Sequence, residues 1–289
     1  MGNLARLKGS IPPIVTPIKD GSVDYDAYSR LIEFQVNEGS HGILVNGTTA
    51  EPSTLTAKER NKLVDIAMET VNQQLPVIAA TGSQSYEETK FLTQHAVKAG
   101  VDAVTILGAE AGGHPGVDMI GSIVQGAIAS SDLDVPVVLG GGLGTGRQLL
   151  AVLALGAEGM LMGSRMTVSK EIWADEKYKT HITSIDQTAT RIVMSVFNDH
   201  ARVLDNHTSQ AVNDLEKKGI TEFEQYRQLV EGENQRSAYE TGNFERGTLS
   251  MGQSCVFADR IMSVSDIFDE ILADAKHMRD RLETLNTQN

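Results

Sequence analysis

Cysteine is almost missing from this 289-residue chain: Cys255 stands alone, so no internal disulfide can form. No Cys/His grouping has the spacing of a structural zinc site, and both absences fit a reducing, cytoplasmic setting. Long apolar runs are missing too. No stretch approaches the roughly 18 apolar residues that span a bilayer. The early run IPPIVTPI, which follows Arg6 and Lys8, is too short and too rich in proline for the core of a signal peptide, so the protein is expected to stay where it is made. Positive charge is scarce, with 25 Lys+Arg against 38 Asp+Glu and a formal charge of −13. Nucleic acid and anionic membranes reward a cationic surface, so neither is expected as a partner, and a small-molecule substrate is the default.

What is present is ordinary for a globular protein, with 40% hydrophobic and 22% charged residues. Six short aliphatic runs, at 11–17, 42–48, 76–82, 102–108, 136–142 and 159–164, end in glycine or turn residues and read as buried parallel strands. Segments of helical spacing lie between them, which is the βαβ rhythm. Gly39, Gly100 and Gly156 each close a helical segment just before a strand, the place of a left-handed cap. After Arg165 the rhythm stops. The expectation is a parallel (β/α) barrel over 1–165, TIM-barrel-like and incomplete at six strands of eight, with a mainly helical region over 166–289.

The densest chemical signal is GGGLGTGRQ, Gly140 to Gln148, which follows an apolar run and opens a helix. Glycines let backbone approach an anion, and a helix N-terminus supplies free N–H groups, so a phosphate site is expected there. A plain glycine-rich turn is the competing reading, and the absence of Lys-Ser/Thr rules out a Walker loop. The next run ends in Gly163 and Ser164, at the neighbouring strand end where barrels commonly hold phosphate. Upstream, GAEAGGHPG puts His114 in a strand-end loop, where an imidazole is a candidate general base for a carbon-bound proton. Thr48 and Thr49, at another strand end, suit a carboxylate or simply a polar turn, and Thr56 with Glu59 spells a capping box. No metal site is expected.

Two resemblances follow from these strings. Residues 9–106, with GILVNGTTAEPSTLT and PVIAATGSQSYEET, resemble the dihydrodipicolinate synthase and N-acetylneuraminate lyase family of Schiff-base aldolases. Residues 98–289, with GAEAGGHPG, PVVLGGGLGTGR, LALGAEGMLMGSR and LSMGQS, resemble the nitronate monooxygenase family, once called 2-nitropropane dioxygenases, and its FMN-dependent enoyl reductase relatives. Both are TIM-barrel families, so the chain reads as a composite barrel with a seam near 98–108.

The aldolase chemistry needs a lysine at a later strand end and a tyrosine proton shuttle, and this chain shows neither. Thr48 and Thr49 match the pyruvate-carboxylate pair but would only bind. The flavoenzyme resemblance implies FMN, with Gly141, Gly142, Gly163 and Ser164 at its phosphate, Ala111 and Gly112 along the flavin, Gln253 near the cofactor and His114 as base. The implied activity is oxidation of a nitronate or similar small acid with O2. The alternatives are a Schiff-base aldolase acting on a 2-oxo acid and a catalytically inactive composite barrel. Both families often form homo-oligomers, so by analogy self-association is expected.

Overall fold

The computed structural model describes residue 7 and residues 11–83 and 85–286. Gly9 and Ser10, where the aldolase-like resemblance begins, and Gln84 lie outside the described residues. In chain order the elements are β1 (Ile18–Lys19), β2 (Ser22–Val23), α1 (Tyr25–Asn37), β3 (Ile43–Val45), α2 (Ala57–Val71), β4 (Val77–Ala80), α3 (Tyr86–Ala99), β5 (Ala103–Leu107), α4 (Ser122–Asp132), β6 (Val137–Gly140), α5 (Gly146–Ala154) and β7 (Gly159–Leu161). They continue as α6 (Glu176–Ile182), β8 (Thr190–Val193), β9 (Ala201–Leu204), α7 (His207–Lys217), α8 (Glu224–Val230), α9 (Gly232–Thr241) and α10 (Val264–Asn286).

Five of the six aliphatic runs form β3 to β7, a parallel sheet in the order β3-β4-β5-β6-β7. The sixth, 11–17, forms no strand. It contributes one parallel bridge, Pro13 to Leu44, closed by Ile14 N to Leu44 O and Leu44 N to Pro12 O, both 2.9 Å. Pro12, Pro13 and Pro17 bring no N–H, so this segment lacks the donors of a longer ladder. Among the described residues there are thus five parallel strands, where the sequence suggests six and a complete (β/α)8 barrel has eight.

The chain divides into two compact units. The first comprises residues up to 106 with 126–138 and 156–158, and the second comprises 107–125, 139–155 and 159–289. In the first, β3 to β5 pair in register, Leu44 with Ile78 and Ile78 with Ala103, and these three residues form a buried cluster. Helix α2 buries Leu63, Val64, Ala67 and Val71, and burying a side chain of that size contributes about 2 kcal/mol. Its start is the expected capping box: Glu59 N donates to Thr56 Oγ1 and Thr56 N to Glu59 Oε2. Gly100, at φ +86°, is the left-handed cap of α3.

The second unit carries the larger apolar clusters, one of which contains Tyr178, Leu204, Leu249, Met251 and Cys255. Past residue 166 it is helical except for β8 and β9, an antiparallel pair with Thr190 opposite Leu204 and Val193 opposite Ala201. These strands are four residues each and interrupted by Arg191 and Arg202, too little signal for a strand reading from sequence. Helix α10 lies tightly on α5 at Gly146, where a Cβ would come within 2.1 Å of Ile271 O and 2.3 Å of Ala275 N. Among the described residues no helix is long and apolar enough to cross a membrane.

Candidate functional site

The site is built in the second unit from three segments: the loop after β5, the loop after β6, and residues 251–257. They interlock through backbone. Gly108 N donates to Gly140 O at 2.9 Å, Gln253 N to Glu110 O at 3.0 Å, and Gly252 N to Ser164 Oγ at 2.8 Å. The glycines at the crossings have steric reasons: a Cβ on Gly112 would meet Gly252 N at 2.6 Å, and one on Gly141 would meet Gly108 N and O at 2.9 Å. Gly141 and Gly142 also have φ of +103° and +70°, where a side chain is strained.

These segments, with the starts of α4 and α5 and Gln187, border a half-open cavity of about 530 Å³, within the range of ligand pockets. Its walls are apolar at Ile123, Leu143, Ala151, Val256 and Phe257, and polar at Glu110, Ser122, Gln148, Gln187 and Gln253, with Gly141 and Gly142 completing the lining. Of the residues singled out in the sequence, Gly141, Gly142 and Gln253 line it. Ala111 and Ser164 are buried beside it in the same knot of loops. Gly112 serves loop packing, and Gly163 has open space where a Cβ would stand. Thr48 and Thr49 belong to the first unit, in an exposed turn. Glu110 and Gln148 are additions that the sequence offered only as loop and helix-start residues, and Gln187 is one for which it gave no signal.

Helix α5 corrects the idea that its N-terminus is open. Arg147 N donates to Asp274 Oδ2 of α10 at 2.8 Å, and the Arg147 guanidinium pairs with the same carboxylate at 3.0 Å. Gly144 N and Thr145 N are taken by Gln148 Oε1, at 2.9 and 3.1 Å, and Gln148 N by Thr145 Oγ1. Hydrogen bonding from Arg147 holds the Asp274 carboxyl below its usual range. An internal carboxylate therefore fills the place a phosphate would take at the helix end.

The loop just before it is differently disposed. The carbonyls of Gly141, Gly142 and Gly144 are engaged by Ser122 Oγ, Gln148 Nε2 and the Arg165 guanidinium. The N–H groups of Gly142 and Leu143 have no acceptor among the described residues. Tying back carbonyls while leaving amides is the arrangement of an anion nest. Ser164 Oγ accepts from Gly252 N, so its own proton is still available to donate.

Glu110 is the acidic group of the lining. Its carboxylate accepts from Ser122 N and Ser122 Oγ, both at 3.0 Å. Arg202, 9% exposed, lies in its field: burial lowers the Arg202 guanidinium and the Glu110 charge opposes that shift. Arg202 also pins the His114 loop, exchanging backbone bonds with Gly113 at 2.7 and 3.0 Å. His114 itself lies outside the cavity lining, more than a third exposed, with Nε2 3.5 Å from Asp199 Oδ1. Burial pushes the Cys255 thiol up, so it is no ready nucleophile. Among the described residues no group of three or more His, Cys, Asp or Glu is placed to hold a metal.

Comparison with known proteins follows the same division. The nitronate monooxygenase family model matches residues 89–274, and the dihydrodipicolinate synthetase family model matches residues 6–108. The 4-hydroxy-tetrahydrodipicolinate synthases of Thermodesulfovibrio yellowstonii and Syntrophobacter fumaroxidans are 46% and 45% identical over 100 residues. The match covers 35% of this chain and 34% of each relative, so the chain spans about a third of the length of these curated relatives. Among solved structures, FabK from Thermotoga maritima superposes with a TM-score of 0.71 at 24% identity, covering 93% of this chain and 86% of that one. The nitroalkane oxidase from Streptomyces ansochromogenes gives 0.66 at 20% identity, covering 93% and 73%. These likenesses show a shared α/β fold with a parallel sheet. The chain belongs to the nitronate monooxygenase family, by a match that takes in both strand-end loops, the β8–β9 pair and Asp274, and it carries a dihydrodipicolinate synthetase-like segment ahead of them.

Proposed function

We propose that this chain is an FMN-dependent oxidoreductase of the nitronate monooxygenase type, oxidising a nitronate or a similar small acid with O2. The observation that carries the reading is the cavity shared by Glu110, the Gly141–Leu143 loop and Gln253, with amides left open in its glycine-rich wall. That donor set fits the cofactor: Gly142 and Leu143 N–H, with Gly163 and Ser164 at the next strand end, would hold the phosphate. Ala111, Gly112 and Gln253 would lie along the ring, and the apolar wall from Ile123 to Phe257 suits a flat heterocycle. The Glu110 carboxylate, already held by Ser122 and faced by Arg202, is compensated in part and does not stand as a bare charge against the phosphate.

The chemistry that FMN supplies when bound is electron transfer between substrate and O2. The protein's own step is proton removal. From a neutral nitroalkane, the conjugate acid of a nitronate, His114 takes the proton on the carbon next to the nitro group, and the imidazolium keeps it while the resulting nitronate carries the charge on its oxygens.

Mixing the purified full-length chain with FMN and passing it through a desalting column should leave flavin absorbance with the protein. Turnover of a neutral nitroalkane should then fall by a factor of about 10² to 10⁴ in His114→Ala, the usual worth of a positioned general base, and turnover of the preformed nitronate should fall less. A chain that never retains flavin, or a His114→Ala variant with unchanged turnover, would overturn the reading.

A further inference from the structure

The contact between His114 and Asp199 takes no part in the cavity. Asp199 sits in the turn between β8 and β9, where Met194 and Asn198 hold positive φ of +66° and +53° and Asp199 N donates to Met194 O. The two bonds between Gly113 and Arg202 lock that hairpin to the His114 loop, which brings Asp199 Oδ1 to 3.5 Å from His114 Nε2. The other charged groups on these segments have partners of their own, beginning with Glu216 of α7, whose Oε1 accepts from Val196 N of the same turn at 3.3 Å. Arg202 donates to Ala109 O and Thr190 Oγ1, Arg191 pairs with Asp205 at 2.8 Å, and Glu110 on the same loop is held by Ser122. His200, next to Asp199, keeps its Nδ1 buried without a partner among the described residues. Asp199 is thus the carboxylate set against this imidazole.

We propose that Asp199 is a positioning residue for His114, holding the ring with its Nε2–H toward the carboxylate so that Nδ1 is the nitrogen that accepts a proton. This rests on the reading of His114 as the base. Neutral imidazole has one donor and one acceptor nitrogen, and the partner of the first decides which is the second. When Nδ1 takes a proton from carbon, the ring becomes a cation and the fixed negative charge of Asp199 stabilises it.

The test uses the full-length chain with labelled histidine and neither cofactor nor substrate. Proton–nitrogen correlation spectra read the tautomer of each ring, and the His114 signals are identified by their loss in His114→Gln. Expected for the unaltered chain is a neutral His114 protonated at Nε2. In Asp199→Asn the Nε2-protonated form should lose ground to the Nδ1-protonated one, and Asp199→Glu should keep part of the preference. His200 signals unchanged in the same spectra show that the turn is still folded. An unchanged tautomer at His114 in Asp199→Asn overturns the proposal. In kinetics, kcat/KM for a neutral nitroalkane should fall in Asp199→Asn and recover in part in Asp199→Glu. A spectral shift in a chain that turns over no nitronate supports the pairing and defeats only the reaction proposed above.

Discussion

The turn at Thr48–Ala50 and the loop at Gly141–Thr145 both follow a parallel strand, and both carry residue types that suit an anion. In the first, Ala50 N and Glu51 N are spent on Gly47 O and Thr48 O and Thr16 Oγ1 takes Ala50 O, while Thr48 and Thr49, whose own N–H groups have no acceptor among the described residues, stand exposed and line no part of the cavity. In the second, carbonyls are the groups already engaged, and two amides remain beside a cavity. The same contrast recurs within a few residues of α5, whose end is filled by Asp274 although the loop before it is open. What a ligand can use is therefore set both by which polar atoms the fold has already paired and by whether a cavity adjoins the ones left over, and a motif names only the candidates.

Five variants sharpen or break that contrast. The largest effect is expected at Gly146→Ala: with Ile271 O 2.1 Å from the new Cβ, α5 and α10 must separate, at a cost of about 3 kcal/mol in denaturant unfolding. Gly163→Ala, in open space, should change stability by less than about 0.5 kcal/mol yet weaken retention of FMN. Should Gly146→Ala leave stability intact, the close crossing of the two helices is wrong.

Thr56→Ala should cost about 1 kcal/mol through loss of the capping box, without touching flavin binding. Asp274→Asn should have a smaller effect with a definite pH signature. The Asp274 carboxyl titrates lower in the folded chain than in the unfolded one, so its contribution is present above the usual carboxylate range and disappears as pH falls through the folded value. The stability gap between Asp274→Asn and the unaltered chain should accordingly close on acidification, and a gap independent of pH would refute the pairing. Smallest of all, Thr48→Ala with Thr49→Ala should shift the unfolding midpoint by less than the equivalent of about 0.5 kcal/mol and leave flavin retention alone. A loss of flavin there would transfer the site away from the glycine-rich loop.

Much of this was legible one residue at a time. Aliphatic runs at 42–48, 76–82, 102–108, 136–142 and 159–164 became β3 to β7, because continuous apolar strands of that length are stable only when paired and covered. Thr56 with Glu59 and Gly100 ended their helices as their own chemistry requires. The run at 11–17 failed because three prolines cannot donate to a ladder, a local cause visible in the sequence but outweighed there by its apolar residues. The β8–β9 pair went unread because eight residues with two arginines carry no clear alternation.

By itself, then, the sequence determined where strands and caps stand and which loops hold glycine, histidine and threonine, since those preferences act within a turn or two of chain. Only the tertiary structure decided that Asp274 reaches Arg147, that Ser122 holds Glu110, and that Asp199 faces His114. Each of these joins residues from different elements. The energy of a charge or an unpaired amide depends on what lies within a few ångströms, and that neighbourhood exists only once the segments have packed.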